Sequence, residues 1–208
     1  MRICEIFRSI QGEGLTMGVP TVFVRAVGCN LRCSWCDTMY SMEGGTEMSI
    51  PEILDKVGEC RTVCVTGGEP MLQKDILELL DALIAKGKKV VLETNGSIDL
   101  KDVPKDPLMM ISMDIKCPSS GMQDRMLDSN IDLLSMKDQL KFIIKDREDF
   151  DYAVRYLREH PVKTNVIFGP VGGTDKLGWL VEQVLENDVD ARVLPQLHKI
   201  IWGDRKGV

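Results

Sequence analysis

The chain has 208 residues, 44% hydrophobic and 28% charged, enough apolar material for one domain with a sizeable core. Its net charge of -6 is spread along the sequence, which excludes the basic footprint of a nucleic-acid binder and points to a small-molecule substrate. No apolar run approaches the roughly 20 residues that span a bilayer, and Met1-Arg2-Ile3-Cys4-Glu5 lacks a signal peptide's apolar core, so a cytoplasmic protein with no membrane partner is expected.

Apolar runs rich in β-branched residues predict strands at residues 21–27, 62–66, 90–94, 109–114, 140–144, 163–168 and 191–194. Helical periodicity falls between several of them. Residues 74–86 place Ile76, Leu79, Leu80, Leu83 and Ile84 on one face with Gly87 as a stop, and 150–159 and 177–187 read similarly. The alternation implies a parallel sheet with right-handed crossovers, either doubly wound or curled into a barrel. From Asn95 to Met109 the chain carries Pro104, Pro107 and a charged stretch, with little room for a crossover helix, which favours a truncated barrel over a complete one. No repeat, low-complexity tract or linker interrupts the pattern, so residues 1–208 are read as a single domain. Arg25, Thr66, Asn95, Asp114 with Lys116, Gly169 with Pro170, and Gln196 fall at or just past strand C-termini, the rim where parallel α/β folds build their sites.

Seven cysteines are present, and Cys29, Cys33 and Cys36 lie within eight positions of a loop that follows the first long strand. Three thiolates at this spacing suit three irons of a 4Fe-4S cluster, leaving the fourth iron open to an exogenous ligand. A zinc site is the alternative. It would want a fourth cysteine or a histidine, and the two histidines, His160 and His198, lie far along the chain. Cys4, Cys60, Cys64 and Cys117 sit in or near apolar patterns and read as structural thiols. The predicted strand at 62–66 runs into Gly67-Gly68-Glu69-Pro70, where paired glycines let backbone carbonyls approach a ligand and Glu69 offsets an ammonium charge. Taken alone, the same turn is an ordinary strand-to-helix link. Arg25, on an otherwise apolar strand, requires a partner, and either a substrate carboxylate or a structural aspartate would serve.

The CxxxCxxC spacing, with Trp35 just before the last cysteine, resembles the signature of the radical S-adenosylmethionine superfamily, and the GGEP turn looks like the segment where that superfamily holds the methionine amino group. Ser9-Ile10-Gln11-Gly12-Glu13-Gly14, Arg25 and Cys36-Asp37-Thr38 together resemble the 7-carboxy-7-deazaguanine synthase family of deazapurine biosynthesis. The similarity continues through Glu93-Thr94-Asn95-Gly96, Asp114-Ile115-Lys116 and Gln196-Leu197-His198-Lys199, and so covers nearly the whole chain. Members often carry Ser-Pro-Lys where this chain has Ser112-Met113-Asp114-Ile115-Lys116-Cys117-Pro118.

The resemblance implies a truncated or modified parallel (β/α) barrel of about six βα units. It places Cys29, Cys33 and Cys36 on a 4Fe-4S cluster, and Gly67, Gly68, Glu69, Thr94, Asp114, Lys116 and Gln196 around S-adenosylmethionine. Ile10, Gln11, Gly12, Glu13, Arg25, Thr66 and Asn95 would bind a pterin, with Thr38 on a magnesium ion and Glu13 available as an acid or base. The implied reaction begins when the reduced cluster splits the sulfonium and the 5′-deoxyadenosyl radical takes a hydrogen from C6 of 6-carboxy-5,6,7,8-tetrahydropterin. The ring then contracts, ammonia leaves, and 7-carboxy-7-deazaguanine forms. A homodimer and an electron donor such as flavodoxin or ferredoxin are also implied. A glycyl-radical activase shares the cysteines and a GGEP-like turn but leaves QGEG, Arg25 and CDT without a role. A non-catalytic iron–sulfur or zinc protein is the remaining alternative.

Overall fold

A computed structural model describes residues 1–205 and 207–208. Among the described residues, nine strands form one sheet: β1 (Arg2–Ile10), β2 (Pro20–Ala26), β3 (Thr46–Glu47), β4 (Thr62–Gly67), β5 (Lys89–Thr94), β6 (Met109–Ile115), β7 (Gln139–Ile144), β8 (Asn165–Pro170) and β9 (Arg192–Val193). The helices are α1 (Ile50–Val57), α2 (Ile76–Ala85), α3 (Arg147–Glu159), α4 (Leu177–Glu186) and α5 (Leu197–Trp202). The spatial order is β3-β1-β2-β4-β5-β6-β7-β8-β9, antiparallel where β1 meets β2 and β3 and parallel from β2 onward. Parallel strands laid down strictly in sequence order exclude a doubly wound sheet, and the sheet does not close, so the architecture is a partial barrel.

The crossover from β5 to β6 carries no helix, as its prolines require, and β6 reaches β7 through three short 3₁₀ turns at Pro118–Ser120, Gln123–Arg125 and Asp128–Leu133. Two strands, β1 and β3, and two helices, α1 and α5, go beyond the sequence expectations. In β1 a charged residue falls at every third position, Arg2, Glu5 and Arg8, which breaks period-two alternation and masks its strand character. The helix α1 is nucleated by a capping box between Ser49 and Glu52 with Pro51 in its first turn.

Period-two alternation gives the sheet two unlike faces. Val22, Val24, Val63, Val65, Val90, Leu92, Met113, Leu140, Phe142 and Phe168 are buried in the core with Ile53 of α1, Leu79, Leu80 and Leu83 of α2, Phe150 of α3 and Leu180 of α4. The intervening positions, including Arg25, Thr66, Glu93, Asp114 and Lys141, line a cavity on the opposite face. Among the described residues, no helix is long and apolar enough to cross a membrane.

Candidate active site

The cavity has a volume of about 520 Å³ and gathers nearly all the candidate residues: Ile10 through Glu13, Arg25, Cys33, Cys36, Thr38, Thr66, Gly67, Gly68, Thr94, Asn95, Asp114, Lys116 and Gln196 all line it. Cys29 and Glu69 do not.

One end of the cavity is the cysteine loop. It leaves β2 through Gly28, whose φ of 92° suits glycine and whose N–H donates to the Ser41 carbonyl at 2.8 Å. All three thiols are free and half-buried, and Asn95 Nδ2 lies 3.6 Å from Cys29 Sγ. The loop is fastened to the segment after β6. Ser34 N donates to the Ser120 carbonyl at 3.1 Å, Ser34 Oγ to the Ser119 carbonyl at 2.6 Å, and Trp35 Nε1 to Ser119 Oγ at 3.1 Å. Ser119 in turn donates its N–H and its hydroxyl to Asp149, at 2.9 and 2.5 Å; this carboxylate is fully buried in the first turn of α3. Among the described residues, no three Cys, His, Asp or Glu side chains converge on one ion position. A 4Fe-4S cluster makes a different demand, one thiolate on each of three irons, and three uncrosslinked thiols on a fastened loop fit it.

The GGEP turn packs directly behind this loop. Glu69 N donates to the Gly28 carbonyl at 2.8 Å, and a Cβ on Gly68 would collide with Gly28 and Cys29, so the two backbones meet only because Gly68 has no side chain. Glu69 itself is engaged by the protein. Its carboxylate is fully buried, accepting from Met71 N at 3.0 Å, Thr94 Oγ1 at 2.9 Å and Asn95 N at 2.7 Å. These donors draw the side chain inward and make it a latch between the turn and the end of β5, while Gly67 and Gly68 face the cavity. Burial pushes the Glu69 carboxyl up to about 7 despite these donors.

The cavity floor is ionic. Lys141 Nζ lies 2.7 Å from Glu93 Oε2, 3.1 Å from Glu13 Oε2 and 3.4 Å from Asp114 Oδ1, and Lys116 Nζ lies 2.7 Å from Asp114 Oδ2. Sheet register explains the meeting, because Asp114 pairs with Lys141 across β6 and β7. Gln196 Nε2 donates to Glu13 Oε1 at 2.6 Å, and Ser112 Oγ donates to Glu93 Oε2 at 2.8 Å. The loop bearing Glu13 is folded by Gln11, whose Oε1 accepts from Gly12 N at 2.8 Å, and is covered by α5. Leu197 N donates to the Gly12 carbonyl at 2.8 Å, and any Cβ on Gly12 would strike the His198 ring. Burial opposes every charge here, yet the carboxylates hold the Lys141 ammonium well above its ordinary range, and Lys141 with Gln196 keeps Glu13 below its own. For Glu93 burial prevails and its carboxyl is raised.

On the opposite wall, Arg25 Nε donates to Glu5 Oε1 at 2.8 Å, and the Tyr40 hydroxyl donates to the same oxygen at 2.8 Å. The structural partner is thus a glutamate directly across the β1–β2 ladder. Thr38 Oγ1 lies 3.6 Å from Cys36 Sγ. Of the four cysteines read as structural, Cys64 and Cys117 are buried and Cys4 and Cys60 partly so; Cys64 also forms part of the cavity wall, its thiol raised by burial. Glu5, Tyr40 and Lys141 are site residues without a motif of their own, and Glu93 and His198 lie in similarity segments that gave them no role. Lys141 carries the signal that marks Arg25, a lone cation in an apolar strand run.

A partial barrel with a three-cysteine loop after its first parallel strand and a glycine pair after the next defines a radical S-adenosylmethionine enzyme, and the Radical SAM superfamily model matches residues 23–182. The chain is 41% identical over its full length to the whole of the 7-carboxy-7-deazaguanine synthase of Thermoplasma acidophilum. It is 44% identical to that of Methanospirillum hungatei JF-1, over 97% of this chain and 85% of the relative. Within the superfamily, the chain belongs to the 7-carboxy-7-deazaguanine synthase family. The crystal structure of QueE from Escherichia coli shares the fold, with a TM-score of 0.74 over 92% of each chain at 24% identity. Superfamily membership implies a 4Fe-4S cluster and S-adenosylmethionine.

Proposed function

We propose that the chain contracts 6-carboxy-5,6,7,8-tetrahydropterin to 7-carboxy-7-deazaguanine with loss of ammonia. The observation that carries this reading is one cavity with a cationic wall at Arg25, an acidic floor at Glu13, Glu93 and Asp114, and the cysteine loop at its rim. A carboxylated ring rich in N–H groups needs both a cation for its carboxylate and acceptors for its ring edge.

In this reading Arg25, kept in place through Nε by Glu5, presents its remaining guanidinium nitrogens to the substrate carboxylate. The QGEG loop closes over the ring, with Ile10, Gln11 and Gly12 packing on it and Thr66 and Asn95 contacting it from strand ends. Glu13 is the floor carboxylate available to take or return a proton during rearrangement. Cys29, Cys33 and Cys36 hold the cluster. The backbones of Gly67 and Gly68, with Thr94, Asp114, Lys116 and Gln196, receive S-adenosylmethionine, while Glu69 acts through the turn it latches. Together these cofactors supply a 5′-deoxyadenosyl radical for hydrogen abstraction at C6. Thr38 would hold magnesium, which would neutralise substrate charge. Family membership supports the remaining parts of the reading: a cytoplasmic homodimer reduced by a flavodoxin- or ferredoxin-type donor.

Anaerobic reconstitution tests the assignment. With reductant, S-adenosylmethionine and carboxytetrahydropterin, 5′-deoxyadenosine and 7-carboxy-7-deazaguanine are expected. Absence of 5′-deoxyadenosine sinks the radical chemistry. Its formation with the pterin untouched sinks the synthase assignment and leaves the activase.

A further inference from the structure

We infer that Lys141 is the positioning cation of the substrate floor, holding Glu13, Glu93 and Asp114 in place so that Glu13 and Glu93 meet the N–H edge of the ring together. The inference rests on the proposed reaction and assigns a residue to it that no motif marks.

The three carboxylates come from three places: the QGEG loop, β5 and β6. Left to themselves they would repel one another across a shared cavity. One ammonium, 6% exposed, reaches all three at 2.7–3.4 Å. Other contacts pin the arrangement from outside: Gln196 holds Glu13, Ser112 holds Glu93, and Lys116 takes the second oxygen of Asp114. Asp114 Oδ1 is buried with no hydrogen bond of its own and meets the Lys141 ammonium as an ion pair at 3.4 Å. With its ammonium engaged by three carboxylates, the lysine acts through the acids it orders. Loss of its charge leaves acids facing one another. They then bind protons at higher pH than before, and each protonated acid presents an O–H donor and weaker acceptors in place of a carboxylate. The charged and titratable groups facing this unit are Glu13 of the loop, His198 of α5, Cys64 of β4, Glu93 of β5, and Asp114 and Lys116 of β6 and its end.

Lys141→Met, Lys141→Arg, Glu93→Gln and the charge-balanced double variant Lys141→Met with Glu93→Gln decide the matter. In Lys141→Met the Michaelis constant for carboxytetrahydropterin should rise about tenfold or more, with a smaller change in kcat. The acidic limb of kcat/KM should move to higher pH, and the 4Fe-4S absorbance should stay intact. Arginine should recover most of the loss. If Lys141→Met fails to fold, the double variant, which loses one charge of each sign, serves in its place, and its Michaelis constant should exceed that of Glu93→Gln alone. A folded, cluster-loaded Lys141→Met with wild-type Michaelis constant and pH limb overturns the inference, as does a double variant indistinguishable from Glu93→Gln. Failure of the wild-type chain to consume the pterin overturns the functional reading and this inference with it.

Discussion

The cysteine rim and the charged floor bound the same cavity, yet they are built in opposite ways. The rim is contiguous, Cys29 through Cys36, and is fastened by hydrogen bonds from Ser34 and Trp35 to a segment anchored on Asp149. The floor is assembled from Glu13, Glu93, Asp114, Lys141 and Gln196, and is held by ion pairs. In the rim, geometry is set locally and charge arrives with the cofactor. The floor brings its own charges, already matched.

Breaking the rim at a ligand should have the largest effect. Cys33→Ala should abolish cluster absorbance and activity together, measured after anaerobic reconstitution, and a full 4Fe-4S spectrum in that variant would break the ligand assignment. Asp149→Ala attacks the anchor behind the rim. It leaves the partly buried Ser119 N–H and hydroxyl without their carboxylate and opens a void where Asp149 was fully buried, so a loss of about 2–4 kcal/mol in urea denaturation is expected, with faster iron release to a chelator. Iron release at the wild-type rate would mean that the loop is held without Asp149.

The smallest effect concerns Glu69, the latch between the two backbones. Its folded-state carboxyl is raised to about 7, above its ordinary value, so the folded chain binds its proton more tightly than the unfolded chain does. That contribution to stability is present below the ordinary carboxylate range and is lost as pH rises through about 7. The cluster-free chain should therefore lose part of its melting temperature across that window. Glu69→Gln should lower the baseline, since an amide cannot accept from all three donors, while flattening the slope. An unchanged slope would mean that Glu69 is ionised throughout.

The contrast also explains what was legible in the residues. The helices α2, α3 and α4 and the parallel strands announce themselves through apolar periodicity, and Pro104 with Pro107 announces the missing crossover helix. By contrast β1 is hidden by its charged residues, and with it Glu5, the partner of Arg25. The rim reads directly as a motif because its ligands are neighbours in sequence. Nothing local marks Glu93 or Lys141 as a pair, because their meeting depends on which strands adjoin and in what register. Glu69 differs again. Its motif is recognisable, but its side chain is claimed by three donors that only the folded turn brings near.

The strictly sequential strand order has a bearing on the order of assembly. From β2 to β8 each parallel strand can join the one completed just before it, so the scaffold grows through short-range closures. The floor has no such privilege. Glu13 emerges near the start, yet its ammonium lies 128 positions later and its amide partner 183 positions later. On a growing chain the sheet is nearly complete before these charges can be matched, which makes the active site the final closure of the fold.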